Sequence, residues 1–430
     1  MTRPVQANAS PARTPGMAKT VYLKGGKEKS VQRRHPWIYA GAIGRVDGAP
    51  GNGALVAVRA ANGDFLAWAA YSPQSTIRAR CWSYEESARI DGDWLAAKAI
   101  AAVARREHLH AQTDAVRLVA GEADGLPGLV VDRYADHLVV QFQAAGVESH
   151  REVLLDALCT ASRCGNVFDR ADNALRAREG LPESGGVVRG AAPAHHLRIA
   201  EHGVAFHVDV RRGHKTGFYI DQRDNRRLAA QLVRMFQELH GRPPRVLNCF
   251  CYTGGFSIAA GRAGARDVVS VDSSADALGL ARANAGLNGL GEEAVGPQLP
   301  EKGRAGLHWV CGDVFEQLRA LRDRGEQFDL VILDPPKFAS NDHQVERAAR
   351  AYKDINLGAL RVLAKAGRLM SFSCSGAIGV DLFQKIVAGA VIDSGVECYL
   401  RARLAAGDDH PRLMTHPEGE YLKGLMLERA

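Results

Sequence analysis

Phe328-Asp329-Leu330-Val331-Ile332-Leu333-Asp334-Pro335-Pro336-Lys337-Phe338 is the stretch that decides the fold. An apolar run of strand length ends in an acid and two prolines, and proline cannot donate to a sheet ladder, so the strand stops there. A run that is apolar on both faces predicts a buried parallel strand. Forty residues after Asp334, Gly367-Arg368-Leu369-Met370-Ser371-Phe372 closes in the same manner on Ser373-Cys374-Ser375. Ligands of open α/β sheets bind at the carboxyl rim of the strands. An acid and a thiol are therefore expected to face one pocket.

Working outward, strands are expected at residues 245–248, 268–271 and 308–310, with helices between them. That succession from about Ala205 onward predicts a doubly wound, mostly parallel α/β sheet. Asp221 is expected to cap a helix whose apolar face carries Leu228, Leu232, Phe236 and Leu239. The first strand runs into Asn248-Cys249-Phe250-Cys251-Tyr252-Thr253-Gly254-Gly255-Phe256, a turn that opens a helix. Its glycines allow close backbone approach, and the helix N-terminus favours an anion. The spacing is not Gly-x-Gly-x-x-Gly, which weakens a dinucleotide reading. The carboxylate of an amino acid suits the turn better than a pyrophosphate.

The second strand ends at Asp272-Ser273, where an acid can accept both hydroxyls of a ribose. The third ends in Cys311-Gly312-Asp313-Val314, where another acid can accept from the exocyclic amine of adenine. Any one of these acids could be a helix cap. Three in order (Asp272, Asp313, Asp334), after a Gly-Gly turn, resemble a class I S-adenosylmethionine methyltransferase with a Rossmann-like sheet. Residues 291–306 read as a surface loop without visible chemistry.

Residues 21–83 show short apolar runs broken by Gly25-Gly26, Gly51-Asn52-Gly53 and Asn62-Gly63, a pattern that suggests a small β-barrel. Residues 1–90 hold thirteen Lys or Arg against five Asp or Glu, a surplus of eight, so the remaining 340 residues sum to minus one of the net +7. Lys24, Lys27, Lys29, Arg33, Arg34, His35, Trp37 and Tyr39 interleave cations with rings. That mixture suits nucleic acid, although a basic solvated surface and a core Trp are the plainer alternatives. Residues 91–110 look helical, and 129–133 with 137–142 form a hairpin. A helix near 149–162 and a strand at 166–168 complete a central α+β module, which ends in a Gly/Pro-rich linker around 180–195. The expected division is a loose tail (1–18), a barrel (19–95), a central module (96–200) and the α/β domain (201–430).

No apolar stretch approaches the roughly 20 residues of a membrane span. The tail lacks the apolar segment of a secretory signal, with a transit peptide as the lesser alternative. Eight scattered cysteines point to free thiols in a reducing cytoplasm. Cys249-x-Cys251 and Cys159/Cys164 lack the second half of a zinc site and are expected to be small buried residues; no metal is expected.

Several longer motifs carry a closer resemblance. Arg33-Arg34-His35-Pro36-Trp37, Gly121-Glu122-Ala123-Asp124-Gly125-Leu126-Pro127-Gly128 and Lys215-Thr216-Gly217-Phe218-Tyr219-Ile220-Asp221-Gln222-Arg223-Asp224 are three of them. Tyr252 to Phe256, Asp334 to Phe338 and Ser373-Cys374-Ser375-Gly376 are three more. With Asp409-His410-Pro411 and Pro417 to Gly424, they resemble the bacterial 23S ribosomal RNA (cytosine-5) methyltransferases of the RlmI type over roughly residues 20–430. The resemblance implies a PUA-like RNA-binding barrel, a central α+β domain and a class I methyltransferase domain. It also implies S-adenosylmethionine as cofactor, ribosomal RNA as partner and a homodimer. The tail, the 291–306 insertion and Arg170-Ala171-Asp172-Asn173 depart from the pattern.

On this reading Cys374 adds to carbon 6 of cytosine and activates carbon 5, which is otherwise a poor nucleophile. A helix beginning near Asp381 is expected to favour the thiolate. Asp334 orients the ring through its amino group, Phe338 stacks on an extruded base, and Lys337 meets a phosphate or the ring carbonyl. Tyr219, Gln222 and Arg223 are expected to close over the methionine end of the cofactor, whose remaining contacts come from Tyr252, Thr253, Gly254, Gly255, Asp272, Ser273, Asp313, Val314 and Asp334. Lys24, Arg33 and Arg34 are the candidate RNA contacts of the barrel. Two rivals stay open: an RNA amino methyltransferase acting on guanine or adenine, which needs no thiol, and a non-catalytic RNA-binding assembly factor.

Overall fold

A computed structural model describes residues 19–291, 293–339 and 342–430; the expected loose tail lies outside them. The first module comprises β1 (Thr20–Leu23), α1 (Lys29–Gln32), β2 (Trp37–Tyr39), β3 (Ile43–Asp47), β4 (Leu55–Arg59), β5 (Phe65–Tyr71) and β6 (Ile77–Ser83). The strands form one sheet in the order β2-β6-β5-β4-β1-β3, antiparallel except for β1 with β4. Val21, Val56, Val58, Ala67, Ala69 and Ala79 meet in a single core, as a small barrel requires.

The second module holds α2 (Gly92–Ala104), β7 (Ala115–Ala120), β8 (Leu129–Tyr134), β9 (His137–Phe142), α3 (Ala145–Glu148), α4 (Arg151–Ser162), β10 (Asn166–Asp169), α5 (Asn173–Arg178) and β11 (Gly186–Arg189). Its sheet runs β11-β10-β9-β8-β7. Leu95 and Ala99 of α2 pack with Leu154 and Leu158 of α4 against Val116, Val131 and Val140. The expected boundary at 95/96 therefore cuts α2, whose buried face belongs to this core, and we place the division within residues 84–91. The expected linker at 180–195 contains β11, which pairs with β10. That strand is short and only partly buried, so it carries no apolar run.

A hairpin follows, β12 (Leu197–Glu201) with β13 (Val204–Val208). The expected boundary at 200/201 divides it, whereas Phe206 and Val208 pack with Leu278 and Ala281 in the core of the third module.

The third module contains α6 (Arg223–His240), β14 (Arg245–Cys249), α7 (Gly255–Arg262), β15 (Asp267–Asp272), α8 (Ala275–Leu287), β16 (Val295–Gly296) and β17 (Gly306–Cys311). It continues through α9 (Val314–Asp323), β18 (Phe328–Leu333), α10 (Val345–Arg361), β19 (Leu363–Ser373), α11 (Val380–Ser394), β20 (Cys398–Ala405) and β21 (Lys423–Arg429). Strand order is β16-β17-β15-β14-β18-β19-β21-β20. Only β21 runs against the rest. Apolar cores cover both faces of the sheet, which explains why β18 is buried along its whole length. Winding reverses between β14 and β18, and that switch point opens a crevice at their carboxyl ends. The 291–306 segment contributes the edge strand β16. Among the described residues, no helix is long and apolar enough to cross a membrane.

Polar contacts key the modules together. Trp37 Nε1 donates to Glu122 at 2.8 Å, and its ring lies 4.5 Å from that of His416. His35 pairs with Glu418 at 3.1 Å, and Arg80 makes a buried bidentate bridge to Glu179. Trp37 and His35 are thus committed to contacts between modules, in line with the plainer, structural alternative for the Trp.

Candidate active site

The turn after β14 is built from left-handed backbone. Phe250 (φ 60°), Tyr252 (φ 49°) and Gly254 (φ 80°) all lie in that region, which costs a non-glycine residue about 1–2 kcal/mol. A Cβ at Gly254 would stand 2.9 Å from the Trp309 ring, so side chain and conformation both demand glycine there. The turn is held from the next strand: Tyr252 N donates to Asp272 Oδ2 at 2.8 Å, and Asp272 Oδ1 accepts from Ser274 N at 2.9 Å. Asp272 remains partly exposed, with lone pairs left over for a diol. Ser273 beside it is exposed, and the Thr253 side chain is buried.

Asp313 is exposed and caps α9, accepting from Glu316 N at 3.0 Å. Its second oxygen is unengaged, so the cap and ligand readings are compatible. The Val314 side chain is in the core, which leaves only its backbone for a ligand.

Tyr219 and Tyr252 meet edge to face at 5.4 Å, and His214 stacks on Tyr252 at 4.6 Å. His214 was missed because a lone histidine in a polar loop carries no sequence signal. Gln222 is buried, and its Nε2 lacks a completed hydrogen bond while lying against Asp334, whose carboxyl it pulls down. Arg223 departs from expectation. Its guanidinium is wholly buried and bridges Asp409 at 2.8 and 3.0 Å, so it does not reach a cofactor. Asp221 also departs, since it is buried and does not cap α6. Lys215 and Tyr421 both bond its carboxylate and, together with His410, hold it well below the usual range against the opposing effect of burial.

Asp334 ends β18, and burial, with a smaller push from Asp221, raises its carboxyl to about 7. Cys374 ends the neighbouring parallel strand β19. Its Sγ donates to Pro335 O at 3.8 Å, so thiol and acid do share one rim. The flanking serines are clamps. Tyr352 of α10 bonds Ser373 Oγ at 2.9 Å and Ser375 Oγ at 3.0 Å; Ala339 N donates to Ser375 Oγ at 3.2 Å, and Lys423 donates to Ser375 O at 2.8 Å. Cys374 alone of the three stays partly exposed. Its thiol is pushed up to about 11 by burial and then by Asp334, with Lys215 opposing. The expected helical activation is therefore not what governs it, because α11 starts six residues beyond the sulfur and an ionisable acid is nearer.

Phe338 is half-buried in an aromatic cluster, with its ring 4.8 Å from Tyr352, so its main contact is packing. Lys337 is exposed. On the first module Lys24, Lys27, Lys29, Arg33 and Arg34 are all exposed, with no carboxylate partner among the described residues. Cys249 and Cys251 are buried core thiols, as expected.

The donor set fits S-adenosylmethionine. A glycine-dependent turn opens an eight-residue helix for a carboxylate, a half-exposed acid ends β15 for a ribose, and an unsatisfied buried amide and a raised acid lie at the switch point.

Comparison with known proteins agrees. A PUA-like domain family matches residues 21–84, and a family of S-adenosylmethionine-dependent methyltransferases matches residues 138–393. A protein of Tolumonas auensis named ribosomal RNA large subunit methyltransferase I is 44% identical over 96% of this chain and 99% of its own. Its Escherichia coli namesake is 43% identical over 95% and 98%. Among solved structures, a methyltransferase complexed with S-adenosylhomocysteine superposes with a TM-score of 0.79 at 20% identity, covering 96% of this chain and all of that one. A Streptococcus mutans methyltransferase gives 0.77 at 19%, with the same coverage. Both show the fold. The cofactor is S-adenosylmethionine.

Proposed function

Because this chain belongs to the S-adenosylmethionine-dependent methyltransferase family whose members include ribosomal RNA large subunit methyltransferase I, we propose that it methylates carbon 5 of a cytosine in 23S ribosomal RNA. The observation that carries the reading is the partly exposed Cys374 thiol beside Asp334 on adjoining parallel strands, next to the cofactor turn. A base must leave its stack to meet these groups.

Asp334 accepts a hydrogen bond from the cytosine amino group and orients the ring. The thiol proton passes to the Asp334 carboxylate, and Cys374 Sγ bonds carbon 6 with its electron pair, driving the 5,6 π pair onto carbon 5. Bound S-adenosylmethionine supplies an electrophilic methyl group. Tyr252 to Gly255 and the α7 N-terminus would hold its methionine end, with Tyr219 and Gln222 closing over it; Asp272 would hold the ribose, and Asp313 the adenine amine. After methylation the proton on carbon 5 passes to solvent water at the open rim, its bond pair restores the 5,6 double bond, and Sγ leaves as thiolate. Lys215 opposes the rise of the thiol, and the Ser373 and Ser375 clamps keep the sulfur at the rim.

Lys24, Arg33 and Arg34 supply phosphate contacts, and Lys337 a further one. We include in this reading a cytoplasmic site of action and a homodimer. The dimer is supported by the edge strand β20, where Tyr399 and Leu400 are exposed; light scattering tests it.

The test is Cys374→Ser assayed by nucleoside mass spectrometry of ribosomal RNA. The expected result is loss of 5-methylcytosine formation by at least about a thousandfold with unchanged S-adenosylhomocysteine affinity. The raised thiol favours one rival, methylation of an exocyclic amine. Full retained activity of the serine variant would establish that rival instead.

A further inference from the structure

A cavity of about 780 Å³ opens where the three modules meet, away from Cys374, Asp334 and Asp272. Trp37 comes to it from the first module, Glu122 and Arg178 from the second, and Leu413, His416 and Tyr421 from the third. A second hollow of about 510 Å³ adjoins it, because Arg117, Val130, Gln143 and Tyr421 line both. Arg170 and Lys215 line its far end. There Lys215 and Tyr421 grip Asp221, and the Lys215 charge is felt at both Asp334 and Cys374. The two hollows make one groove that runs from the barrel to Lys215, the residue whose charge is felt at the catalytic rim.

Charge along the groove is uneven. Arg117 and Lys215 are neutralised by Asp132 and Asp221, and Arg80 by Glu179. Arg170 is different: its guanidinium donates only to backbone carbonyls of Val210, Arg211 and Gly213 and so keeps its full charge. Arg178 is exposed and has no carboxylate partner among the described residues. Arg170 and Arg178 thus stand at the two ends of a groove whose lining between them mixes Trp37, Val130, Leu413 and Tyr421 with ion-paired Arg80 and Arg117 and with the Glu122 carboxylate, which accepts from Trp37. That is the recognition chemistry of unpaired nucleic acid, in which phosphates meet cations while bases lie on apolar and ring surfaces. A pocket of roughly 300–1,000 Å³ takes a ligand of drug size, which is the size of a single nucleotide and far less than a duplex.

We propose that the cavity seats an unpaired nucleotide flanking the target cytosine, its base against Leu413 and Tyr421, its phosphate on Arg178, and the connecting strand running past Arg170 to Cys374. The inference rests on the ribosomal RNA reading above. It gives the barrel a role beyond tethering, since one wall of the nucleotide site belongs to it. It also makes the site incomplete until all three modules are docked.

The full-length protein is titrated with a labelled single-stranded RNA of about ten nucleotides, a length that spans a single-stranded binding module. Arg178→Glu is expected to weaken binding about tenfold and to reduce the salt slope by about one. Leu413→Trp fills the cavity without changing charge and is expected to weaken binding about tenfold as well. Arg234→Glu, on the exposed face of α6, makes the same charge change elsewhere and leaves binding unchanged. S-Adenosylhomocysteine affinity, measured alongside, stays within about twofold in all three, which reports an intact fold. Wild-type affinity in both cavity variants, or no RNA binding by the wild type, overturns the proposal and assigns the cavity to a different partner. RNA binding that both cavity variants weaken, with no methylation by the wild type, would sink the proposed reaction and leave the cavity assignment standing.

Discussion

Replacing Asp334 by Asn should make Cys374 more reactive toward a simple alkylating agent while destroying methyl transfer. The thiol sits at about 11, two units above the ordinary 9.0, with burial the larger cause and Asp334 the next. At pH 8 the thiolate is then about one part in a thousand. Taking the effect of the carboxylate as about one pKa unit, its removal raises the thiolate population about tenfold. Nucleophilicity falls with pKa along a Brønsted slope of about 0.4–0.5, which trims the net gain to about threefold. The comparison is the rate of iodoacetamide labelling at Cys374, followed by peptide mass spectrometry, in wild type and Asp334→Asn. Asp334 itself titrates near 7, so the ratio should be about three at pH 8.5 and approach one at pH 6, where the wild-type acid is already neutral. Methyl transfer should fall at least about a hundredfold in the same variant, because the proposed reaction uses that group to orient the base and to accept the thiol proton. Equal labelling rates at pH 8.5, or a slower rate in the variant, would refute the claim that Asp334 suppresses the resting thiol.

Gly254→Ala places a Cβ 2.9 Å from Trp309 in left-handed backbone and should cost about 1–2 kcal/mol in denaturant unfolding while weakening S-adenosylhomocysteine binding at least about tenfold by calorimetry. Asp409→Ala strands the buried Arg223 guanidinium and should cost about 3–5 kcal/mol in the same unfolding experiment. For Asp334 the folded pKa is raised, so its carboxylate penalises the fold above pH 7, and the penalty disappears as pH falls toward 4. Asp334→Asn should therefore be more stable than wild type at pH 8, by up to about 4 kcal/mol, and equal to it near pH 4. Asp221 and Asp409 have the opposite sign: their depressed values support the fold above about pH 4, and that support drains away in stronger acid, which a pH series of thermal melts would follow.

The parallel half of the third module was legible because its strands are buried on both faces and announce themselves as apolar runs ending in acids. From that pattern the adjacency of Asp334 and Cys374 followed, since β18 and β19 are the last two such runs. Several of the strands that escaped notice are half-exposed ones. β20 mixes Arg401 and Arg403 with Tyr399 and Leu400, and most of its residues keep solvent contact, so no alternation marks it. β11 and β16 are short and only partly buried as well, whereas β7 escaped notice although it is buried, because Arg117 interrupts its apolar run. Arg223 was misjudged because its partner Asp409 lies 186 residues away, and only folding reveals that the charge is already spent. Lys215, Asp221 and Tyr421 come together across 200 residues in the same way. Their motifs were visible as a resemblance, but the opposed effects of Lys215, which lowers the Cys374 thiol, and Asp221, which raises it, were not. The thiol's resting state, raised instead of activated, depends on burial that no linear pattern encodes.

The contact of Trp37 with Glu122 and His416, beside the bridge from His35 to Glu418, has a consequence for engineering and for descent. A foreign barrel grafted onto this chain would arrive without the indole and imidazole that Glu122, His416 and Glu418 receive, and the seam would open. Recombination between relatives should succeed only when these five positions travel as a set. The RNA-reading end of the molecule is accordingly heritable as one unit with its chemistry, not as an interchangeable cartridge.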